Sequence, residues 1–485
     1  MVSNSDKVRI IFGLKIRQLR LEKALSLAEV AVKVGFSVSY LNEIEKGKKY
    51  PKSDKIMALA SFFQIDYDEL VSLKLVNDLE PIADILNSTV LNDLPLEMFG
   101  IEASDFVDLM SKSPTKISAF INTLKEISRS YDIQNEEFFE AVLRSYQEMN
   151  ENYFEDIEGV VENFRVAHSI GKTQIIEKDF LKKILFENYN YSISGFESNQ
   201  YPKLTDIDLI WKEPSKIAIN NQLPEEEITF LLAKEIGYQV LGLKGRPNSN
   251  PIVKVVSFEA IFNNFKAAYF ARALLINKDI LVGRLTYFLA SPKWDSDAFL
   301  AIMSLFNTPP YVFIDRVTNL LSGHFGLNNL FLLGMKHDSI SNKFHAVNEM
   351  HLRQLHSPHG YARKEHYCRR WLGLSIMTDL DAKPFICDSQ ISEFSDSNRK
   401  YFVISVAYYL RSGEKRSDTI GFVLDSKLKS VLNFVGDGSI KKRVVNQTCE
   451  RCGMKDCKER AAEPIVYNLK MEKLSVLEAV SKLKF

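Results

Sequence analysis

The sequence is poor in cysteine, has no long apolar run and carries no net charge. Five cysteines in 485 residues are too few for a disulfide scaffold, and no run approaches the roughly 18 apolar residues of a transmembrane helix. Basic and acidic residues number 62 each, which excludes a uniformly basic nucleic-acid coat protein. The first residues lack the apolar core of a secretory signal. We therefore expect a cytoplasmic protein with reduced thiols.

Charge is distributed unevenly along the chain. Residues 1–75 carry 13 Lys and Arg against 9 Asp and Glu, whereas residues 76–165 carry 6 against 19. This pattern indicates a mildly basic N-terminal module followed by an acidic helical connector. The acidic charge either solvates an ordinary helical surface or keeps that surface away from DNA. Apolar residues at helical spacing near residues 135–164 predict one long helix or two.

The N-terminal module has the start and stop signals of several short helices. Ser26 precedes LAEVAVKV and is followed three residues later by Glu29, which is a capping-box pattern. Gly35 suits the left-handed turn after that helix. Ser37 suits the N-cap of the next helix, VSYLNEIEK, which ends at Gly47. Two short helices joined by a glycine-containing turn predict a helix-turn-helix unit.

The stretch SLAEVAVKVGFSVSYLNEIEKGKKYPKSDKIMALASFF resembles the phage-repressor, or XRE, family of helix-turn-helix domains. The resemblance implies a protein that binds double-stranded DNA as a homodimer, with helix 37–46 in the major groove. It also implies a structural pair between Arg20 and Glu45. The residues expected at the DNA are the exposed side chains of this helix and the lysines that follow it: Ser37, Val38, Ser39, Asn42, Glu43, Lys46, Lys48 and Lys49.

A helix in the middle of the chain resembles a metallopeptidase helix that has lost its metal ligands. The segment FLLAKEIGYQVLG (230–242) is similar to the F-x-x-A-H-E-x-G-H-x-x-L helix of ImmA/IrrE-type zinc peptidases. In that motif two histidines bind zinc and the glutamate polarises a water molecule. Here Lys234 and Tyr238 replace the histidines, and only Glu235 remains. We predict a degenerate domain without zinc and without catalysis, which binds a ligand or another subunit.

Three of the five cysteines lie close together near the C-terminus. Cys449, Cys452 and Cys457 form C-x2-C-x4-C, a spacing that favours a metal site over a disulfide in a cytoplasmic protein. Thiolates suit either zinc or an iron–sulfur cluster. A tetrahedral zinc site needs a fourth ligand. The sequence offers three candidates for it: Cys368, His366 and Cys387.

The order of these features resembles the short-chain fatty acyl-CoA-responsive regulators of propionate and methylcitrate genes. An XRE helix-turn-helix, a degenerate ImmA/IrrE-like domain and a TCERC…DC run follow one another in both. The resemblance implies a [4Fe–4S] cluster held by the three cysteines and an acyl-CoA effector. Basic residues beside a tryptophan suit a CoA phosphate and its adenine ring. The residues in question are Arg363, Arg369, Arg370 and Trp371.

The expected fold is a multi-domain α+β protein in four parts. They are an XRE-type helix-turn-helix domain at 1–73, a helical connector or dimerisation arm at 74–160, a degenerate zincin-like α/β domain at 161–310 and a mixed α/β sensor domain at 311–485. The expected function is sequence-specific regulation of transcription, with an effector or redox state sensed by the C-terminal part. Two alternatives stay open: an antitoxin-like interaction protein and a metallopeptidase-derived protein without activity.

Overall fold

In the computed structural model the chain forms two compact units. The first contains Met1–Val142 and Val255–Phe258, and the second contains Leu143–Lys254 and Glu259–Phe485. Much of the predicted connector, at 73–134, lies outside the described residues, and so does Arg363. The described residues are 4–72, 135–197, 200–213, 215–255, 257–338, 341–352, 365–380, 383–397 and 399–482.

Five helices form the N-terminal part of the first unit, and their caps follow the sequence signals. The Ser26 hydroxyl accepts a hydrogen bond from the Glu29 N–H, and the Glu29 carboxylate accepts one from the Ser26 N–H, which completes the capping box. Gly35 ends the second helix at φ 71°, and Ser37 caps the third. The helices are α1 (Asn4–Glu22), α2 (Leu27–Val34), α3 (Val38–Glu45), α4 (Ser53–Phe63) and α5 (Tyr67–Val71).

A small apolar core holds these helices together. Leu41 and Ile44 of α3 are fully buried among residues of α1, α2 and α4. At Gly13 of α1, an added Cβ would lie 2.3 Å from the Ile44 carbonyl oxygen, so only glycine allows α1 to approach α3 this closely. The predicted Arg20–Glu45 pair is present in the same core. The third helix is therefore fixed on its inner face and exposes its outer face.

The helical stretch predicted near residues 135–164 is two helices rather than one. They are α6 (Asn135–Met149) and α7 (Glu155–Ala167). Between them, Glu151 and Asn152 adopt positive φ values of 52° and 53°, which end the first helix. The predicted domain boundary at residue 160 falls inside α7, and the one at 310 coincides with the first residue of a later helix.

The first half of the second unit combines a small sheet with several buried helices. The strand order is β1-β3-β2-β4, with β1 parallel to β3 and the other pairs antiparallel. The strands are β1 (Ser192–Phe196), β2 (Leu209–Glu213), β3 (Lys216–Asn220) and β4 (Ser249–Asn250). The helices are α8 (Lys178–Tyr189), α9 (Glu225–Val240), α10 (Phe258–Leu275), α11 (Lys278–Leu289), α12 (Ser296–Ser304) and α13 (Pro310–Phe325).

A six-stranded sheet forms the second half of this unit. Its order is β10-β7-β8-β9-β5-β6, and only the β10–β7 pair is parallel. One hydrophobic core runs continuously from α7 to this sheet. The strands are β5 (Leu330–Asp338), β6 (Lys343–His351), β7 (Phe385–Phe394), β8 (Lys400–Tyr409), β9 (Lys415–Val423) and β10 (Lys441–Val445). The helices are α14 (Leu372–Thr378), α15 (Ser426–Val431) and α16 (Ile465–Ser481).

Among the described residues, no helix is both long and apolar enough to cross a membrane. The architecture thus consists of a helical N-terminal part and a mixed α/β region with two sheets.

Candidate functional site

The outer face of α3 presents the side chains that the sequence places at DNA. Ser37, Val38 and Ser39 are exposed at the start of the helix, and Asn42 and Glu43 are half-buried one turn later. Val38 is 46% exposed although it is apolar. A short apolar side chain in that position can contact a thymine methyl group, and an Asn amide can pair with an adenine edge. This face therefore has the chemistry of base recognition.

Lysines surround this face. Lys48 and Lys49 are exposed in the loop after α3, and Lys46 caps the helix. The Lys49 ammonium lies 2.8 Å from the Glu43 carboxylate, so these two side chains neutralise each other in the absence of DNA. Lys55 lies over the rings of Phe36 and Tyr40 at 4.7 and 4.8 Å. Positive groups placed in this way suit phosphate contacts, which add affinity without reading sequence.

In helix α9, which contains the segment 230–242, the carboxylate of Glu235 is paired with an arginine. Arg246 binds both carboxylate oxygens of Glu235, at 2.5 and 2.7 Å, and the Tyr191 hydroxyl donates to the same carboxylate. The Arg246 guanidinium also lies over the rings of Tyr238, at 4.2 Å, and Trp211, at 5.0 Å. Burial would lower the pKa of Arg246, but the hydrogen bonds and charge of Glu235 outweigh it and raise that pKa. Glu235 is thus held in an ion pair.

Lys234, the residue before Glu235, is buried beside this pair. Its ammonium donates to the Asn250 side-chain carbonyl at 2.8 Å. Burial lowers the pKa of Lys234 to about 8. An ammonium group offers no lone pair while it is protonated, so this position does not supply a zinc ligand near neutral pH.

Four cysteines line one pocket in the C-terminal half. The pocket is lined by Cys368 together with the predicted trio Cys449, Cys452 and Cys457. Cys387, the other cysteine candidate, is in strand β7 and is not part of this lining. His366 is engaged by Glu450, whose carboxylate lies 2.8 Å from His366 Nδ1. Of the three candidates for a fourth thiol or imidazole, the structure brings Cys368 to the trio.

Backbone and arginine contacts hold the two cysteine segments together. Tyr367 and Thr448 form an antiparallel bridge, and the Cys368 and Cys449 N–H groups donate to the carbonyls of Gln447 and His366. Arg460 donates to the carbonyl oxygens of Cys449 and Cys452, at 3.0 and 3.1 Å. The sequence analysis missed this arginine, although it follows the last cysteine by three residues. It organises the loop without being a ligand.

The four cysteine thiols of the pocket could in principle bind a single metal ion or an iron–sulfur cluster. Within the described ranges, no group of three or more Cys, His, Asp and Glu side chains is arranged to hold a single metal ion. A zinc ion would require its thiolates to meet at one point, about 2.3 Å from each sulfur. A [4Fe–4S] cluster places each thiolate on a different iron, so its ligands stand around a space. Cysteine thiolates from two chain segments around one pocket are the type of donor set that a [4Fe–4S] cluster uses.

Three of the four predicted effector residues are described: Arg369 and Arg370 line this pocket, and Trp371 lines a second cavity. Arg369 donates to the Asn342 carbonyl and lies 4.2 Å from the Phe344 ring centre, and Arg370 lies 3.4 Å from Glu459. Trp371 is buried, and its indole N–H donates to the Asn446 carbonyl. This tryptophan is therefore a wall of a cavity rather than an exposed stacking surface.

The second cavity is the larger of the two and is almost wholly apolar. The polar residues in its lining are Ser392, Thr419 and His351. Burial lowers the pKa of His351 to about 4, so its imidazole is neutral near pH 7. The apolar walls come from β5, β7, β8 and the start of α14: Phe331, Leu333, Met335, Trp371, Leu372, Leu374, Phe394, Tyr401 and Val403.

A capped helix-turn-helix with an exposed polar recognition helix and adjoining lysines defines the class of DNA-binding helix-turn-helix domains. The helix-turn-helix family model HTH_3 matches residues 16–70. The uncharacterised HTH-type transcriptional regulator y4dJ of Sinorhizobium fredii is 34% identical over 65 residues, which are 13% of this chain and 84% of that protein. The chain belongs to the XRE-type helix-turn-helix transcriptional regulators, a family that binds double-stranded DNA.

The chain also has a similarity to a solved structure beyond this domain. A Mycobacterium tuberculosis transcriptional regulator matches over 67% of this chain and 94% of its own, with 13% identity and a TM-score of 0.46.

Proposed function

We propose that this regulator senses a metabolite through its C-terminal half, by means of a thiol-bound cluster and an apolar effector cavity. One observation carries the proposal. The continuous segment 368–374 supplies Cys368, Arg369 and Arg370 to the cysteine pocket and Trp371, Leu372, Gly373 and Leu374 to the apolar cavity. The two sites are thus joined by one short segment of seven residues. Two sites connected in this way can influence each other's affinity if the segment has two arrangements.

The proposed ligands of the [4Fe–4S] cluster are the four thiolates of the cysteine pocket: Cys368, Cys449, Cys452 and Cys457. When bound, the cluster supplies a one-electron redox centre, whose potential depends on hydrogen bonds to its thiolates. The Ala461 N–H donates to Cys449 Sγ at 3.3 Å, which is a contact of this type. Zinc is the alternative occupant and would make the same loop a structural clip.

The apolar cavity supports a short acyl chain as the effector group. Its walls are aromatic and aliphatic, so they can remove a short hydrocarbon chain from water, and Ser392 and Thr419 provide hydroxyl groups for a carbonyl. Arg369 and Arg370 supply positive charge on the adjoining side, which suits the phosphates of a coenzyme A ester. Catalysis has no part in this proposal, because Glu235 is paired with Arg246.

The test is anaerobic purification of the full chain with iron, sulfide and zinc analysis. Wild-type protein is expected to hold iron and sulfide and to absorb near 400 nm through thiolate-to-iron charge transfer, roughly as other such clusters do. Cys368→Ser and Cys452→Ser are expected to lose most of the iron. Cys387→Ser is the matched control and is expected to keep it. Stoichiometric zinc in a colourless wild-type protein would show that the cysteines form a structural zinc site instead of holding a cluster. A metal-free wild type would refute the proposal for this pocket.

A further inference from the structure

A further pocket lies beside the ion pair of Glu235 and Arg246. It shares no lining residue with the cysteine pocket or with the apolar cavity. Most of its lining residues are polar, yet Lys234, Glu235 and Tyr238 are almost completely buried. Polar groups in such surroundings need hydrogen-bond partners, so the pairing of each group decides what the pocket can bind. We call it the Lys234 pocket, and its polar lining includes Lys234, Glu235, Tyr238, Arg246, Asn250 and Asn264.

The main acceptor atoms of the Lys234 pocket are already used. Both oxygens of the carboxylate are held in the ion pair. The side-chain oxygen of Asn250 accepts a hydrogen bond from the Lys234 ammonium at 2.8 Å. The side-chain oxygen of Asn264 accepts one from the Tyr238 hydroxyl at 3.2 Å. The pocket therefore favours a ligand that accepts hydrogen bonds over one that donates them.

The donors in and beside this pocket have hydrogen atoms left to give. An ammonium group has three N–H bonds, and Lys234 uses one of them on Asn250. The Nε–H of Arg246 is buried and has no hydrogen-bond partner in the described part of the chain. The same holds for the indole N–H of Trp211, whose ring lies 5.0 Å from this guanidinium. Buried donors left unpaired are costly, so an acceptor placed among them is stabilised.

The charges that line the Lys234 pocket do not cancel. Two cations, Lys234 and Arg246, stand beside one carboxylate, Glu235. Burial lowers the pKa of Lys234 to about 8, so its ammonium is still mostly protonated at pH 7. One positive charge is therefore left over in surroundings where an unbalanced charge is unfavourable.

Charged groups further from the ammonium do not supply the missing negative charge. Asp208 and Arg272 both act on Lys234 electrostatically. Each of them has a partner of its own, because Asp208 lies 3.6 Å from Arg411 and Arg272 binds Asp315 at 3.0 Å. The excess of one positive charge thus remains when these two pairs are included.

We propose that the Lys234 pocket binds a small monoanion of the carboxylate class. A carboxylate carries one negative charge at neutral pH and accepts hydrogen bonds on two oxygens, so it matches both the unused donors and the excess charge. A water molecule would satisfy the donors but not the charge, and a phosphate dianion would reverse the sign of the charge. The inference goes beyond the proposed function, since it requires neither the cysteine pocket nor the apolar cavity.

The test measures binding of formate and acetate to the full-length protein at pH 7 by isothermal titration calorimetry, with chloride titrated in parallel. Wild type is expected to bind the two carboxylates with a Kd of about 1 mM or weaker, which is the limit for so few atoms. Lys234→Met is expected to weaken binding about tenfold or more, because a charged donor is lost. Lys244→Met, at an exposed position outside the pocket, is the matched control and is expected to bind as wild type does.

A second variant supplies the negative charge from the chain itself. Asn264→Asp keeps the shape of the side chain and its acceptor for the Tyr238 hydroxyl, and it places a carboxylate in the lining of the pocket. It is expected to abolish binding of added formate and acetate. Circular dichroism and thermal unfolding confirm that each variant is folded.

Three results would overturn the inference. They are the absence of saturable binding of either carboxylate to wild type, equal binding by wild type and Lys234→Met, and undiminished binding by Asn264→Asp. Chloride that binds as tightly as formate would overturn the assignment of the ligand to the carboxylate class. None of these results depends on DNA binding or on metal content, so the proposed function is tested separately.

Discussion

Arg20 in α1 binds Glu45 in the last turn of α3 through two parallel hydrogen bonds. The distances are 2.6 Å from Nε to Oε1 and 2.8 Å from Nη2 to Oε2. Both side chains are nearly excluded from water, and Arg20 also donates to the Leu25 carbonyl in the loop between α1 and α2. The pair fixes the recognition helix against the helix that precedes the motif, so its contribution to DNA binding is indirect.

Breaking this pair is expected to destabilise the N-terminal domain strongly. Arg20→Met leaves the Glu45 carboxylate buried without its partner, which costs about 3–5 kcal/mol. The double variant Arg20→Met/Glu45→Met removes both charges and is expected to be markedly more stable than the single variant. Hydrogen exchange of peptides from α1 and α3 in the full chain measures both effects. Equal protection in the two variants would show that the buried charge is not the cause.

Lys234 is expected to reduce stability near neutral pH, because it is charged inside the protein. Its pKa is about 8 in the folded state and 10.5 in the unfolded state, so below about pH 8 the buried ammonium opposes folding fully. As the pH rises from 8 to 10.5, the folded state gives up its proton first and this penalty disappears.

Lys234→Met is therefore expected to stabilise the protein by about 1–3 kcal/mol at pH 7 and by progressively less toward pH 10.5. Chemical denaturation at a series of pH values measures the difference. Lys244→Met, at an exposed position nearby, is the control and is expected to change little at any pH. If the increase in the free energy of unfolding caused by Lys234→Met did not become smaller as the pH rises, the charge of the buried ammonium would not be the cause of the destabilisation.

Local signals in the sequence were sufficient for the N-terminal domain. Ser26, Glu29, Gly35 and Ser37 act through neighbours within a few residues, and the structure has the caps and the turn where the sequence predicts them. The helix predicted at 230–242 also appears close to its predicted position, at Glu225–Val240.

Features that depend on distant residues could not be predicted in this way. Cys368 meets Cys449 because two segments about 80 residues apart are bridged at Tyr367 and Thr448. Strand β6 was missed because its polar, histidine-containing sequence has a weak alternation, and it is fixed by its register with β5. The apolar walls of the cavity come from four separate elements, none of which is distinctive alone.

Filling the apolar cavity is expected to remove effector binding while the fold is kept. Val403 lines the cavity, so the ring added by Val403→Phe competes with an acyl chain for the same space. Trp371 lines the cavity, so its fluorescence is expected to respond to propionyl-CoA in wild type and not in the variant. Titration with acetyl-, propionyl- and butyryl-CoA compares chain lengths. An unchanged response in Val403→Phe would place the acyl group elsewhere.

Contacts to phosphates and contacts to bases are expected to differ in how DNA affinity depends on salt concentration and on DNA sequence. Lys48→Ala is expected to weaken binding to all duplexes alike and to reduce the slope of log affinity against log salt by about 0.9. A Lys48 variant that changed sequence preference would contradict a phosphate role. Measurement of affinity at several salt concentrations, on specific and unrelated duplexes, distinguishes the two results.

The most direct test of sequence-specific DNA binding through α3 is selection of binding sites from random duplex DNA with wild type and Asn42→Ala. Wild type is expected to enrich one sequence. Asn42→Ala is expected to relax the preference at one base pair in each half-site, at a cost of about 1–3 kcal/mol there. The same preference in both proteins would show that α3 does not read bases through Asn42. Enrichment of no sequence by the wild type would contradict sequence-specific regulation itself.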